Sequence, residues 1–233
     1  MDDPIIHVEE VMGTVVSIAV HRGRCAPSAV AAAVQAACAR LHELDAIFTT
    51  YDEKSPMSGV RSGELLLKDA PPVIRDVFEL CEQARWMTHG WFDPWSMPGG
   101  VDPTGLVKGW AVEQAARLIG DSPVSGAIVD CGGDVALVGS SPDGGPWRIG
   151  IQHPWRRSAL ACVIEVGVGA VATSGAYARA AHLVSPCGFP SSPGVASASV
   201  IGDSLGFADA FATAIAVGGP DAARSVSEVP GYD

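Results

Sequence analysis

Apolar and polar residues alternate over "IIHVEE" and again over "TVVSIAVH". That period of two sets successive side chains on opposite faces of a strand. Both stretches are rich in β-branched residues and are separated at Met12-Gly13-Thr14, which predicts two strands or a hairpin. The period then lengthens. "APSAVAAAVQAACARLHELDAIF" is predicted as a helix with Pro27 and Ser28 at its start, followed by a polar loop over "TTYDEKSPMSGVRSG". Two further helices follow from "PPVIRDVFELCEQARWMTHG", stopped by Gly90, and "LVKGWAVEQAARLIG", closed by Gly120. After Gly120 come short strands, "GAIVD", "DVALVG", "WRIGIQ" and "ALACVIEVG", with "CGGD" as a tight hairpin turn between the first two. A last apolar helix is expected from about Leu205 to Val217. Helices crowd the first half and strands the second, so an α+β fold with a mainly antiparallel sheet packed with helices is predicted. Residues 1–233 are expected to form one domain; "EVPGYD" looks like the lead-in to a further short strand, which points to a longer native C-terminus.

Composition narrows the function more than the fold. With 48% hydrophobic and 18% charged residues the chain is globular in character. No apolar run reaches the roughly 18 residues of a membrane span. A formal charge of -11 argues against nucleic acid as the main ligand, because backbone phosphates call for a basic footprint. "MDDPIIHVEE" has no export-signal pattern, so a cytoplasmic protein is expected. The six cysteines are scattered without a C-x-x-C pair, and reduced, mostly buried thiols are expected.

Common nucleotide and hydrolase signatures are missing. "GVGAVA" (Gly167 to Ala172) fits G-x-G-x-x-A but lacks a strand-turn-helix setting, and there is neither a G-x-x-x-x-G-K-[ST] nor a G-x-S-x-G run. "VDPTGLVKGW" is more informative. It brings Asp102 and Lys108 to the start of a helix, where free N–H groups and the helix dipole favour anions. Lys108 can there neutralise a phosphate, or Asp102 and Thr104 can simply cap the helix. In "FADAFATAIAVGG", Asp209 and Thr213 stand one helical turn apart on one face. They suit a hard cation such as magnesium, or a cap with a hydroxyl bonded back to the helix. His182 has the aptitude for proton transfer, shared with any surface or core histidine.

These segments, in this order, resemble the ApbE family of FAD:protein FMN transferases. The resemblance rests on "MGT" (Met12 to Thr14), "FTTYDEKSPMS" (Phe48 to Ser58), "FDP" (Phe92 to Pro94), "VDPTGLVKGWAV" (Val101 to Val112), "CGGDVALVG" (Cys131 to Gly139), "WRIGIQHP" (Trp147 to Pro154), "VATSGAYAR" (Val171 to Arg179) and "ADAFATAIAVGG" (Ala208 to Gly219). It implies a flavin site in a cleft between two interlocked lobes, with FAD as substrate and Mg2+ as cofactor. The implied reaction moves FMN from FAD to a Ser or Thr hydroxyl of an acceptor protein and releases AMP. By position, Asp209, Thr213 and the backbone oxygen of Gly105 would hold the metal. Met12, Tyr51, Phe92, Asp93, Asp102 and Lys108 would surround the flavin and its nucleotide, and His182 would serve as base for the incoming hydroxyl. Loop aromatics such as Trp91, Phe92 and Trp95 would cover the isoalloxazine or else pack the loop. Two departures stand out: Ser185 replaces the family's Asp after His182, and Ala178 stands where an acidic residue is common. They keep two alternatives open, an FAD pyrophosphatase yielding FMN and AMP, and a non-catalytic FAD-binding protein.

Overall fold

The computed structural model describes residues 3–175, 186 and 194–233. Its centre is a six-stranded sheet in the order β1-β2-β3-β4-β7-β8, where β1 is Ile5–Val11, β2 Thr14–His21, β3 Gly126–Cys131, β4 Asp134–Gly139, β7 Gly169–Ser174 and β8 Ala198–Gly202. All five pairings are antiparallel. A separate antiparallel pair, β5 (Trp147–His153) and β6 (Arg156–Val166), completes the described strands. The predicted α+β class and antiparallel sheet are therefore present. "GVGAVA" lies at the β6–β7 turn and within β7, away from any helix start.

The sheet is covered on both faces. On one side lie α1 (Pro27–Phe48), α4 (Thr104–Gly120) and α5 (Leu205–Ser227), with α4 against β3 and β4, α5 against β7 and β8, and α1 behind α4. Val135, Leu137 and Val171 face the other way, onto Trp147 and Val166 of the β5–β6 pair. Alternation explains the sequence of β4. Val135 and Leu137 point to the hairpin while Ala136 points to the helices, so "DVALV" is apolar at nearly every position and no polar face shows.

Helix α1 buries Val30, Val34, Ala37, Leu41, Leu44 and Phe48, the spacing of a single helical stripe. Helix α3 (Pro72–Met87) does the same with Ile74, Val77, Phe78 and Cys81. A further helix, α2 (Pro56–Ser62), corrects the expectation of a polar loop: Ser55 caps it by accepting from the Ser58 N–H, and only Met57 and Val60 are buried. Two turns are too short to show a period. α5 also runs past Val217, breaking at Gly219 (φ 61°) before Pro220 and resuming to Ser227. At the chain's end Asp233 exchanges backbone hydrogen bonds of 2.8 and 3.0 Å with Ile201 of β8.

The crossing of α4 and α5 is unusually close because both helices present a glycine to it. A β-carbon on Gly109 would stand 2.5 Å from the Leu205 carbonyl oxygen and 2.9 Å from the Asp209 β-carbon; one on Gly206 would stand 3.1 Å from the Trp110 β-carbon. Glu113 of α4 then reaches the start of α5, where its carboxylate accepts from Ser204 Oγ (2.7 Å) and the Gly206 N–H (3.4 Å). A neighbouring helix thus supplies the carboxylate that satisfies a free N–H of the first turn.

Among the described cysteines, Cys25, Cys38, Cys81 and Cys131 are buried and outside any disulfide, and burial pushes Cys81 far above its ordinary pKa. Cys162 is the exposed one among them, in keeping with the expectation of mostly buried thiols. No described helix is long and apolar enough to cross a membrane.

Alanine at position 109 would raise helix propensity by about 1 kcal/mol on an open helix surface. At this crossing Gly109→Ala is expected instead to lower stability by about 1–3 kcal/mol, the usual cost of overpacking. Urea unfolding of the two proteins checks the sign.

Candidate active site

A cleft of about 640 Å³ lies at the meeting point of the β1–β2 turn, the end of α1, the Gly/Pro-rich loop after α3, the start of α4 and one face of α5. Its lining includes Met12, Tyr51, Phe92, Asp93, Asp102, Gly105, Lys108, Asp209 and Thr213, nearly the whole set chosen from sequence. His182, Tyr177, Ala178 and Ser185 lie outside the described residues.

The deepest chemistry is a triad of charges. Lys108 Nζ forms a close ion pair with Asp134 Oδ2 and lies 3.5 Å from Asp209 Oδ2. Asp134 is wholly buried, and its other oxygen accepts the Thr173 N–H at 3.2 Å. Asp209, 3% exposed, also takes the Gly109 N–H at 3.1 Å across the helix crossing. That corrects one of the two readings of Asp209: it sits in the second turn of α5 and is bonded to another helix, so it is not a cap. One turn on, Thr213 Oγ1 is 3.2 Å from Ser174 Oγ at the end of β7. Gly105 faces the same spot, since a β-carbon there would lie 3.7 Å from Thr213 Oγ1 and 3.2 Å from the Phe92 ring. Lys108 is likewise no solvated side chain, being only 24% exposed.

The remaining residues shape the walls. Asp102 is held by Arg61 of α2 at 2.5 Å through one oxygen and accepts the Thr104 N–H at 3.0 Å through the other. Arg61 also donates to the Pro98 carbonyl, and Gly100 (φ 112°) passes so near the Arg61 backbone that a β-carbon would stand 2.4 Å from its oxygen. Asp93 is engaged by Arg85 (3.1 Å), Ser96 and the Trp95 N–H. Both carboxylates thus brace the loop that carries Phe92. The Phe92 ring is buried in the wall, and the residue's backbone N–H donates to Thr88 Oγ1 at 3.1 Å. Trp91 lines the cleft, whereas Trp95 packs edge-on against Phe78 and beneath Arg85 and does not. Met12 takes a left-handed backbone (φ 56°) and its N–H donates to Asp45 at 3.0 Å; Tyr51 stands 90% exposed at the mouth.

Sequence reasoning missed Asp134, Thr173 and Ser174. "CGGD" does form the predicted hairpin turn, with Gly132 and Gly133 at positive φ. A carboxylate opening so apolar a strand as "DVALV" was the available signal, because a buried charge must be paired.

Taken together, this is an α+β protein with a cleft whose inner wall sets oxygen donors and a lysine side by side, chemistry suited to a ligand that carries phosphate groups. The ApbE family model matches residues 96–232, and the chain belongs to the ApbE family. Curated relatives include a "FAD:protein FMN transferase" of Vibrio cholerae, 33% identical over 138 residues, and one of Klebsiella pneumoniae, 30% identical over 136. Those matches take in 55% and 54% of this chain but span only 41% and 39% of the relatives. Among solved structures, the flavin transferase ApbE of Vibrio cholerae superposes with a TM-score of 0.80 at 20% identity, covering 99% of this chain and 96% of that one. An ApbE protein of Thermotoga maritima gives 0.77 at 22% identity, covering 97% and 91%. The fold is therefore the ApbE fold.

Lys108→Met would leave the Asp134 carboxylate buried without its cation. The expected loss of stability is about 3 kcal/mol, the low end for a ruptured buried pair because the ammonium is partly exposed. Adding Asp134→Asn to Lys108→Met should return part of that loss in a double-mutant cycle, read by denaturant unfolding.

Proposed function

We propose that this protein transfers FMN from FAD to a Ser or Thr hydroxyl of an acceptor protein, with magnesium as cofactor and AMP as the leaving product. The observation that carries this reading is the convergence of Gly105, Lys108, Asp209 and Thr213 on one wall of the cleft, beside the start of α4.

The donor set fits a hard cation. Asp209 offers a carboxylate, Thr213 a hydroxyl and Gly105 a backbone carbonyl, all oxygen, as magnesium prefers. The Gly109 N–H, which helical spacing sets toward the Gly105 carbonyl, also donates to Asp209. A carbonyl oxygen has two lone pairs, so the Gly105 oxygen has capacity for a further partner. The charge balance favours the same outcome. Two carboxylates around one ammonium leave a formal excess of one negative charge. In a partly desolvated wall that excess attracts a cation and makes room for an anionic ligand once the cation is held.

Bound there, magnesium would supply Lewis-acid polarisation of the pyrophosphate and stabilise charge on the departing AMP. Lys108, fixed by Asp134, presents its ammonium at the same wall and can offset phosphate charge without first becoming ordered. The start of α4 lies at the same wall, where the positive end of its helix dipole favours an anionic ligand. Trp91 and the buried Phe92 give an apolar surface against which a flat ring can stack, limiting the access of water that would compete with the acceptor hydroxyl. His182 is proposed as the base that takes the proton of the incoming hydroxyl.

Incubation with FAD, magnesium and a peptide bearing an Asp-rich Ser/Thr-Ala-Thr motif is expected to add the mass of FMN to the peptide and release AMP. Mass spectrometry and nucleotide chromatography read both. Asp209→Ala is expected to slow transfer by roughly 100-fold or more, the scale seen when one electrostatic stabiliser is removed. Chelation of magnesium should abolish it. Free FMN with AMP and an unmodified peptide would mark a pyrophosphatase; intact FAD would overturn the enzymatic reading.

A further inference from the structure

A second cluster of ligating side chains lies outside the cleft, where β1 meets α1. On β1 the alternation points His7 and Glu9 to the same, more protected face, while Ile6 and Val8 are exposed. On α1, Cys38 and His42 are separated by one helical turn and share a face. The packing of helix on strand brings the two pairs together. The ligand atoms of His7, Glu9 and Cys38 all lie within 4.8 Å of one another. Glu9 Oε2 is 2.9 Å from His7 Nε2, and its other oxygen is 2.7 Å from His42 Nε2. The Cys38 sulfur approaches from the buried side, while the two imidazoles form the solvent rim with side chains 41% and 51% exposed.

We propose that His7, Glu9 and Cys38 form a binding site for a transition-metal ion of the zinc or cobalt(II) type, with His42 holding the Glu9 carboxylate from outside. Imidazole nitrogen, thiolate sulfur and carboxylate oxygen are the donors such ions select, whereas Asp209, Thr213 and Gly105 in the cleft present oxygen alone. The geometry requires little change. Bonds of about 2.0–2.3 Å in a tetrahedral site put ligand atoms roughly 3.3–3.8 Å apart, so small side-chain rotations suffice. The His42 bond to the second carboxylate oxygen is the outer contact that orients a ligating carboxylate. Three protein ligands leave a fourth position for water on the exposed side. Coordination forms a metal–sulfur bond and releases the thiol proton to solvent, so affinity rises with pH. None of the four residues lines the cleft. The site would tie the edge strand of the sheet to the helix whose Asp45 holds the Met12 N–H at the cleft mouth.

The test is titration of the untagged, chelator-stripped protein with cobalt(II) in excess magnesium, followed by absorbance. One equivalent should produce visible bands of a tetrahedral ion together with thiolate-to-cobalt charge transfer in the near ultraviolet. Cys38→Ser should abolish the charge-transfer band, and His7→Ala, on an edge strand, should weaken binding at least about 10-fold. Cys131→Ser, which removes the thiol beside the cleft, should leave the spectrum unchanged. Absence of a saturable spectrum would overturn the site. So would a charge-transfer band that survives Cys38→Ser or disappears in Cys131→Ser, or His7→Ala binding as tightly as the parent with an intact circular dichroism spectrum.

Discussion

The close crossing of α4 over α5 is the constraint on which the site depends. With side chains at 109 and 206 the helices would stand farther apart, and the Gly109 N–H could not reach Asp209 at 3.1 Å. The same crossing places Lys108 between a carboxylate on β4 and one on α5. Glu113 fixes the register further along by binding the first turn of α5. Helix packing and charge placement are thus one structural fact, and a change in either would be felt in both.

The loop that carries Phe92 is held by a different device. To backbone bonds within the loop, such as Asp102 N–H to the Pro94 carbonyl at 2.9 Å, side chains flanking it add further holds: Arg85 on Asp93, Arg61 on Asp102 and Pro98, Thr88 on the Phe92 N–H. Such charge-assisted contacts fix a Gly/Pro-rich segment whose freedom would otherwise be costly to remove. Asp93 and Asp102 therefore serve the cleft through the loop's shape, even though both lie on its lining.

Helical periodicity makes much of this legible in the sequence. Asp209 and Thr213 stand out because an apolar helix has no need of them, and their spacing fixes a common face. The fold class followed from the order of helical and strand patterns. What escaped was tertiary. Asp134 offers only the hint of a carboxylate at the head of an apolar strand, because its partner is 26 positions earlier in the chain, on another element. The helix over Pro56–Ser62 has too few turns to display a period, and the part of α5 beyond Gly219 is hidden by a glycine and a proline that ordinarily end a helix. Sequence likewise gave no sign that the oxygens of Asp93 and Asp102 are already engaged by arginines, since neither arginine is a helical-turn neighbour of its partner.

Helix α1 joins two regions of contrasting coordination chemistry. Near its middle it brings a thiol and an imidazole toward a carboxylate and a second imidazole on β1; near its end, Asp45 holds the backbone of Met12 beside a wall of oxygen donors. With the two proposed sites kept apart, sulfur and nitrogen donors would favour a borderline metal at one and all-oxygen donors would suit magnesium at the other, since magnesium gains little from sulfur. The strand between them, β1, is an edge strand paired on one side only. A contact that fastens it to α1 acts on the least supported part of the sheet, and through the β1–β2 turn on the position of Met12 at the cleft.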